Sequence, residues 1–276
     1  MALIVPAIRR PEPFVAGGAY MQHVLVFDVD GTLTASRRAM EPEFAALFLQ
    51  LAAHHPVYLV TGSDCTKLCE QVPVAIRNVL KGAFCCSGNE LWHNGKTVFS
   101  MSHSFPDDLS GFAMQLVDAS RFPVRTGRHV EERTGTLNVS VVGRNAGEAE
   151  RRSYVRHDTK FGEREAMIAA IEARFPDYEA HRGGQISIDI SPRGWNKGRV
   201  AREILSRHPD ARIDFFGDRI SGRGNDEPLA DALRALGPLH VIHEVRNPAE
   251  TLAILKRDYL QPRVETARKA RSASFA

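Results

Sequence analysis

Asp28 and Asp30 stand two residues apart in Asp28-Val29-Asp30-Gly31-Thr32-Leu33-Thr34, directly after the apolar run His23-Val24-Leu25-Val26-Phe27. Two carboxylates at i and i+2 on a tight turn can divide a group transfer between them. The first can attack phosphorus and become an acyl phosphate. The second can protonate the leaving oxygen and later take a proton from the incoming hydroxyl. Gly31 lets the chain turn sharply, and Thr32 can hydrogen-bond within the turn. Acidic pairs more often decorate loops. This pair follows a strand that reads as buried on both faces, the kind found in a parallel sheet.

The elements around the pair must form that sheet. Phe44, Leu47, Phe48 and Leu51 fall at helical spacing, with Pro42 near the helix start. Val57-Tyr58-Leu59-Val60 is a second buried strand, ending at Thr61-Gly62-Ser63. Strand, helix, strand at this spacing is a βαβ unit, with its site at the carboxyl ends of the strands. The same style returns from about Lys197. It comprises a helix with Val200, Ala201, Ile204 and Leu205, a strand Ile213–Phe216 ending at Gly217-Asp218, and a last strand His240–His243.

The middle of the chain differs. Leu137–Val142 and Ile186–Ile190 alternate, which marks a sheet with one buried and one open face. A helix over Glu163–Phe175 separates them. The isoleucines of 186–190 point one way, while Ser187 and Asp189 point the other; Asn138 and Ser140 likewise share a face. A hydroxyl and a carboxylate on an open face suit sugar hydroxyls. Arg133, Arg144 and Arg151 are close in sequence to that sheet, and guanidinium forks suit phosphate. The spacing therefore predicts an α/β protein: a parallel-sheet core over 21–90 and 191–261, interrupted by an α+β insertion over 91–190.

Composition agrees with a globular protein. The chain has 276 residues and a net charge of +3, too small to argue for nucleic acid. No apolar run approaches the length of a membrane span, and the stretch before Pro6 is too short for a signal peptide. Residues 1–20 and 262–276 are expected to be a disordered extension and a frayed tail. Cys65, Cys69, Cys85 and Cys86 lack zinc-like spacing and read as buried, reduced thiols of a cytoplasmic protein. The eleven histidines are scattered, and none is assigned to catalysis.

Asp28–Thr34 resembles the first motif of the haloacid-dehalogenase (HAD) superfamily, and the others follow in order. The resemblance implies a HAD-like Rossmannoid core with a C2-type cap. It implies that Asp28 is the nucleophile and Asp30 the general acid and base. Thr61 would bind the transferring phosphoryl group, and Lys197 would offset its charge. Gly217-Asp218 and Asn225-Asp226 match the fourth motif, so Mg²⁺ would take the carboxylates of Asp28 and Asp218 and the backbone carbonyl of Asp30.

Glu132–Ser140 with Gly143-Arg144-Asn145 is similar to the cap of eukaryotic-type phosphomannomutases, as are Gly183–Asp189 and Gly194-Trp195-Asn196-Lys197. The match covers most of residues 22–257. It implies interconversion of mannose 6-phosphate and mannose 1-phosphate, with a hexose 1,6-bisphosphate as activator and a homodimer through the cap as a possible assembly. Arg37, Arg133, Arg144 and Arg151 would then hold the non-reacting phosphate, and Asn138, Ser187 and Asp189 the sugar. The chain departs from the family where it carries Thr61-Gly62-Ser63-Asp64 in place of Gly-Gly-Ser-Asp. It departs again at Ser87-Gly88-Asn89-Glu90, near the place of a Glu-Asn-Gly segment. The Thr61 hydroxyl is usual in the phosphatases of the superfamily, and a sugar-phosphate phosphatase is the alternative.

Overall fold

The structure, a computed structural model, describes residues 15–16 and 19–260. A short antiparallel pair, β1 (Val15–Ala16) and β2 (Ala19–Tyr20), precedes β3 (His23–Asp28). The rest of the expected extension, and the expected tail over 262–276, lie outside the described residues.

In α1 (Pro42–Ala52) the proline sits in the first turn and Phe44, Phe48 and Leu51 face inward. Next come β4 (Val57–Val60), α2 (Cys65–Gln71), α3 (Val74–Arg77) and β5 (Gly82–Cys85), then the hairpin of β6 (Glu90–His93) and β7 (Lys96–Ser100). The central stretch holds α4 (Asp107–Ala119), β8 (Val130–Arg133), β9 (Thr136–Val139), α5 (Glu148–Phe161), α6 (Glu163–Arg174), β10 (Tyr178–Gly183) and β11 (Ser187–Pro192). The chain returns through α7 (Arg199–Arg207), β12 (Arg212–Gly217), α8 (Glu227–Leu236), β13 (Val241–Glu244) and α9 (Pro248–Asp258).

Seven strands form one sheet in the order β13-β12-β3-β4-β5-β6-β7. It is parallel from β13 to β5, and the β6–β7 hairpin adds an antiparallel edge. Apolar side chains cover both faces: Phe27, Phe48 and Phe216 on one, Val26, Tyr58 and Phe215 on the other. Strand order reverses direction between β3 and β12, and ligands of open α/β sheets bind at the carboxyl ends beside such a switch. Asp28 ends β3 at that place, and Asp218 follows β12.

The second sheet is antiparallel, in the order β10-β11-β9-β8. Leu137, Val139, Ile188 and Ile190 pack with Leu109, Tyr154 and Ile168 from α4, α5 and α6. This is the expected α/β architecture, a parallel-sheet core with an α+β cap.

Three details differ from expectation. First, the boundaries placed at 90/91 and 190/191 fall inside β6 and β11; the hairpin pairs with the core sheet, and β11 runs on to Pro192. Second, β9 stops at Val139, well short of Arg144. The chain turns at Gly143 (φ +88°), where a Cβ would lie 1.8 Å from the Thr126 carbonyl oxygen. Third, the polar face of the cap sheet is not open. Asn138 is 1 % exposed, Ser187 6 % and Asp189 7 %, because the core closes over that face.

Candidate active site

At the core end of the site, Lys197 has no exposed surface. Its Nζ donates to Asp28 Oδ1 and to Asp226 Oδ1, both at 2.6 Å. Asp226 Oδ2 accepts from the Arg219 backbone N–H at 3.0 Å, and Asp218 Oδ2 accepts from Arg219 Nε at 3.2 Å. Gly31 (φ +91°) passes so close under Asp218 that a Cβ would sit 2.4 Å from Oδ2. The turn therefore needs glycine on steric grounds as well as for its left-handed backbone. Thr61, at the end of β4, is buried, and its Oγ1 accepts from the Ser63 N–H at 3.0 Å.

Asp28, Asp218 and Asp226 each offer an oxygen within 4.8 Å of the others. Burial, then Asp226 and Asp218, hold the Asp28 carboxyl well above the usual carboxylate range against the pull of Lys197. Burial and Asp226 push Asp218 up to about 6. Burial opposes the Lys197 ammonium, but Asp226 and Asp28 outweigh it and raise its pKa. One lysine among these carboxylates leaves an excess of negative charge. An oxygen-only donor set with that excess fits a hard divalent cation such as magnesium. Asp226, which was not among the expected metal-site residues, joins the acidic group while anchored to Lys197 and Arg219. The Asp30 side chain turns elsewhere: its Oδ1 accepts from the Arg37 N–H at 2.8 Å and from Gln71 Nε2 at 3.0 Å.

At the cap end, Glu131 Oε2 accepts from Arg133 Nη2 at 2.6 Å and lies 3.2 Å from Arg144 Nε. Arg144 Nη1 donates to Asn138 Oδ1 at 3.1 Å, and Asn138 Nδ2 donates to Asp189 Oδ1 at 2.5 Å. Arg144 thus reaches the polar face from the turn after β9. Burial and Arg133 push its pKa down to about 10. Burial, with Arg37 and Arg144, does the same to Arg151, also to about 10. Arg151 Nε donates to the Ala146 carbonyl at 3.0 Å, but its buried Nη2 has no hydrogen-bond partner. Buried guanidiniums that repel one another, one of them with a nitrogen left without an acceptor, fit an anion with several oxygens.

One cleft of about 660 Å³ joins the two ends. Asp28, Asp30, Thr61 and Asp218 line it from the core, together with Arg37 beyond the first motif. Arg133, Asn138, Arg144, Arg151, Ser187 and Asp189 line it from the cap. Lys197 lies behind Asp28 rather than in the wall. The cap reaches the core directly: Arg133 Nη1 donates to the Gly62 carbonyl at 3.3 Å, and the Arg182 N–H donates to the Arg223 carbonyl at 2.9 Å. Arg223 in turn lies 3.3 Å from Glu165 and 3.0 Å from Glu172 on α6.

Sequence reasoning missed Lys67, Gln185, Arg219 and Gln71. The first three line the cleft, and Gln71 sits behind Asp30. Arg219 had a signal in its place beside Asp218, and Gln185 in its place within the family-like stretch Gly183–Asp189. Among the cysteines, Cys85 and Cys86 are buried, and burial pushes Cys86 up to about 12. Cys69 is exposed and Cys65 half-buried, contrary to the expectation of four buried thiols.

A sequence model of eukaryotic phosphomannomutases matches residues 44–261. A probable phosphomannomutase of Caenorhabditis elegans is 32% identical over 244 residues, covering 83% of this chain and 92% of that one. A phosphomannomutase of Schizosaccharomyces pombe is 33% identical over 245 residues, covering 85% and 93%. Among solved structures, a phosphatase of the HAD superfamily from Bacteroides thetaiotaomicron superposes with a TM-score of 0.53 at 16% identity, covering 88% and 97%.

Proposed function

Because the chain belongs to the eukaryotic phosphomannomutase family, within the HAD superfamily, we propose that it interconverts mannose 6-phosphate and mannose 1-phosphate, with glucose phosphates as secondary substrates. The observation that carries this reading is the cluster of arginines facing Asp28 across one cleft. Arg151 keeps a buried nitrogen without a partner there, ready for a second phosphate.

Asp28 attacks the phosphorus of a hexose 1,6-bisphosphate and becomes the aspartyl phosphate, and Asp30 gives its proton to the sugar oxygen that leaves. In the next turn Asp30 takes the proton of the free hydroxyl of a hexose monophosphate. That hydroxyl accepts the phosphoryl group, re-forming Asp28 and a bisphosphate. The bisphosphate turns end over end, and the arginines grip whichever phosphate is not reacting. Lys197 holds Asp28 in place and offsets charge on it. Asn138, Ser187 and Asp189 meet the sugar hydroxyls. Asp28, Asp218 and the carbonyl of Asp30 would hold magnesium, which when bound supplies positive charge at the transferring phosphoryl group. The contacts of Arg133 with Gly62 and of Arg182 with Arg223 close the cap and exclude water, which would otherwise hydrolyse the aspartyl phosphate.

A second reading, sugar-phosphate phosphatase, is favoured by the Thr61 hydroxyl in the place of the family's glycine. Following mannose 1-phosphate with and without a hexose bisphosphate separates the two. Isomer formation that depends on the bisphosphate is expected; free phosphate alone overturns the mutase reading. A homodimer through the cap belongs to the same proposal and is checked by light scattering. No helix among the described residues is long and apolar enough to cross a membrane. The reduced thiols suit a cytoplasmic enzyme.

A further inference from the structure

We propose that Gln71 is a positioning residue that aims the Asp30 carboxylate at the reacting oxygen, a statement that rests on the acid–base role given to Asp30 above. Gln71 closes α2 and is 1 % exposed. Its Nε2 donates to Asp30 Oδ1 at 3.0 Å and reaches Thr34 Oγ1 at 3.2 Å. The same carboxylate oxygen accepts from the Arg37 N–H at 2.8 Å. With Oδ1 occupied by two donors, Oδ2 is the oxygen left to exchange a proton with the substrate.

The backbone supports the same arrangement. The Gln71 carbonyl accepts from the Met40 N–H at 2.8 Å, tying the segment after Arg37 to the end of α2. Arg37 itself is left-handed (φ +61°), a conformation that costs a non-glycine residue free energy and turns its N–H onto Asp30. Gln71, Asp30, Thr34 and Arg37 are thus one hydrogen-bonded unit between the first motif and α2.

Burying an amide costs free energy unless both of its ends are bonded. Gln71 Oε1 has no partner, although the side chain is buried. Stability alone does not account for an amide that bonds a catalytic carboxylate through one end and leaves the other open. Held at Oδ1 by Nε2 and by the Arg37 N–H, the carboxylate has one rotation, and that rotation is what the amide secures.

The test compares two rates in Gln71→Met and Gln71→Glu. One is turnover of the hexose monophosphate, whose sugar oxygen leaves only with a proton. The other is the burst of p-nitrophenolate from p-nitrophenyl phosphate, whose leaving group needs none. For sugar-phosphate turnover, kcat should fall by about tenfold or more. Its KM and the p-nitrophenolate burst should stay within about twofold of wild type. Gln71→Glu keeps the native size and backbone bond, so it carries the test if Gln71→Met does not fold. Equal losses in both rates, a loss confined to KM, or no loss in a folded variant would each overturn the proposal. Asp30→Asn in the same assays separates this from the reading beneath it. If that variant retains sugar-phosphate turnover, the acid–base assignment fails and the proposal with it. If it loses turnover while both Gln71 variants keep theirs, only the role of Gln71 fails.

Discussion

At the core end of the cleft, Asp28 and Asp226 share one buried lysine beside Asp218, whereas at the cap end Arg133 and Arg144 share Glu131 beside Arg37 and Arg151. The two ends are out of balance in opposite senses. Burial with neighbouring carboxylates raises Asp28 and Asp218, and burial with neighbouring arginines lowers Arg144 and Arg151. Each end stores an unmet charge that a ligand of opposite sign relieves, a cation at the core and a phosphate at the cap. The ends also differ in construction. Asp28 and Asp218 stand on or just past strand ends locked by the parallel sheet, and Lys197 and Asp226 at the starts of α7 and α8, while the cap arginines come from a strand, a turn and a helix.

The strongest way to break the comparison is to remove the nucleophile. Asp28→Asn should abolish turnover, a loss of roughly 10⁴-fold or more, without unfolding the chain, since only one carboxylate oxygen is replaced. Beryllofluoride with Mg²⁺ should modify wild type at Asp28 and leave the variant untouched. Substantial residual turnover would remove Asp28 from the chemistry.

Next is the cation at the core end. Asp218→Ala should lose roughly a hundredfold or more at ordinary magnesium, with partial recovery as magnesium is raised. Wild-type turnover that survives excess chelator would show that the excess negative charge is not there for a metal.

At the cap end the expected effect is smaller and selective. Losing a charge-assisted contact costs about 1.5–3 kcal/mol, or roughly ten- to a hundredfold. Arg144→Ala should therefore lower mutase turnover by that factor. The quantity to measure is the ratio of mutase turnover to p-nitrophenyl phosphate hydrolysis, which should fall, because the small monophosphate has no second anchor. A common factor on both rates would make Arg144 a support of the fold. An unchanged ratio and unchanged rates would favour the phosphatase reading.

The smallest effect concerns stability. Asp218 is raised from 3.8 to about 6 in the folded chain, so the folded state binds that proton more tightly than the unfolded state. Its contribution is fully present below about pH 4 and is lost as pH rises through about 6. Metal-free wild type should therefore lose melting temperature across that window relative to Asp218→Asn, and magnesium should flatten the difference. Identical pH curves for the two metal-free proteins would mean that Asp218 titrates normally.

Much of the core end was legible from residues in a row. Strand His23–Phe27 and the turn Asp28–Thr34 are local, and their chemistry follows from residue type and spacing. The strands ending at Val60 and Phe216 were legible for the same reason: continuous apolar runs announce a sheet buried on both faces. Arg144 was harder. Strand period alone places it on the polar face by continuing β9, yet β9 ends at Val139 and the guanidinium arrives from a turn. Helices α5 and α9 were not singled out, because charged and polar residues interrupt their apolar spacing.

By itself the sequence determined which strand ends carry carboxylates, which glycine turns beneath them and which family supplies the motifs. Those features depend on a few consecutive residues, where backbone geometry leaves little choice. Only the tertiary structure decided that Asp226 joins Asp28 on Lys197, that Gln71 holds Asp30, and that the polar face of the cap sheet is closed rather than open. Each of these brings together groups separated by many residues of chain. Local propensity carries no signal for such contacts, which are set by how two sheets with separate apolar cores close on one cleft.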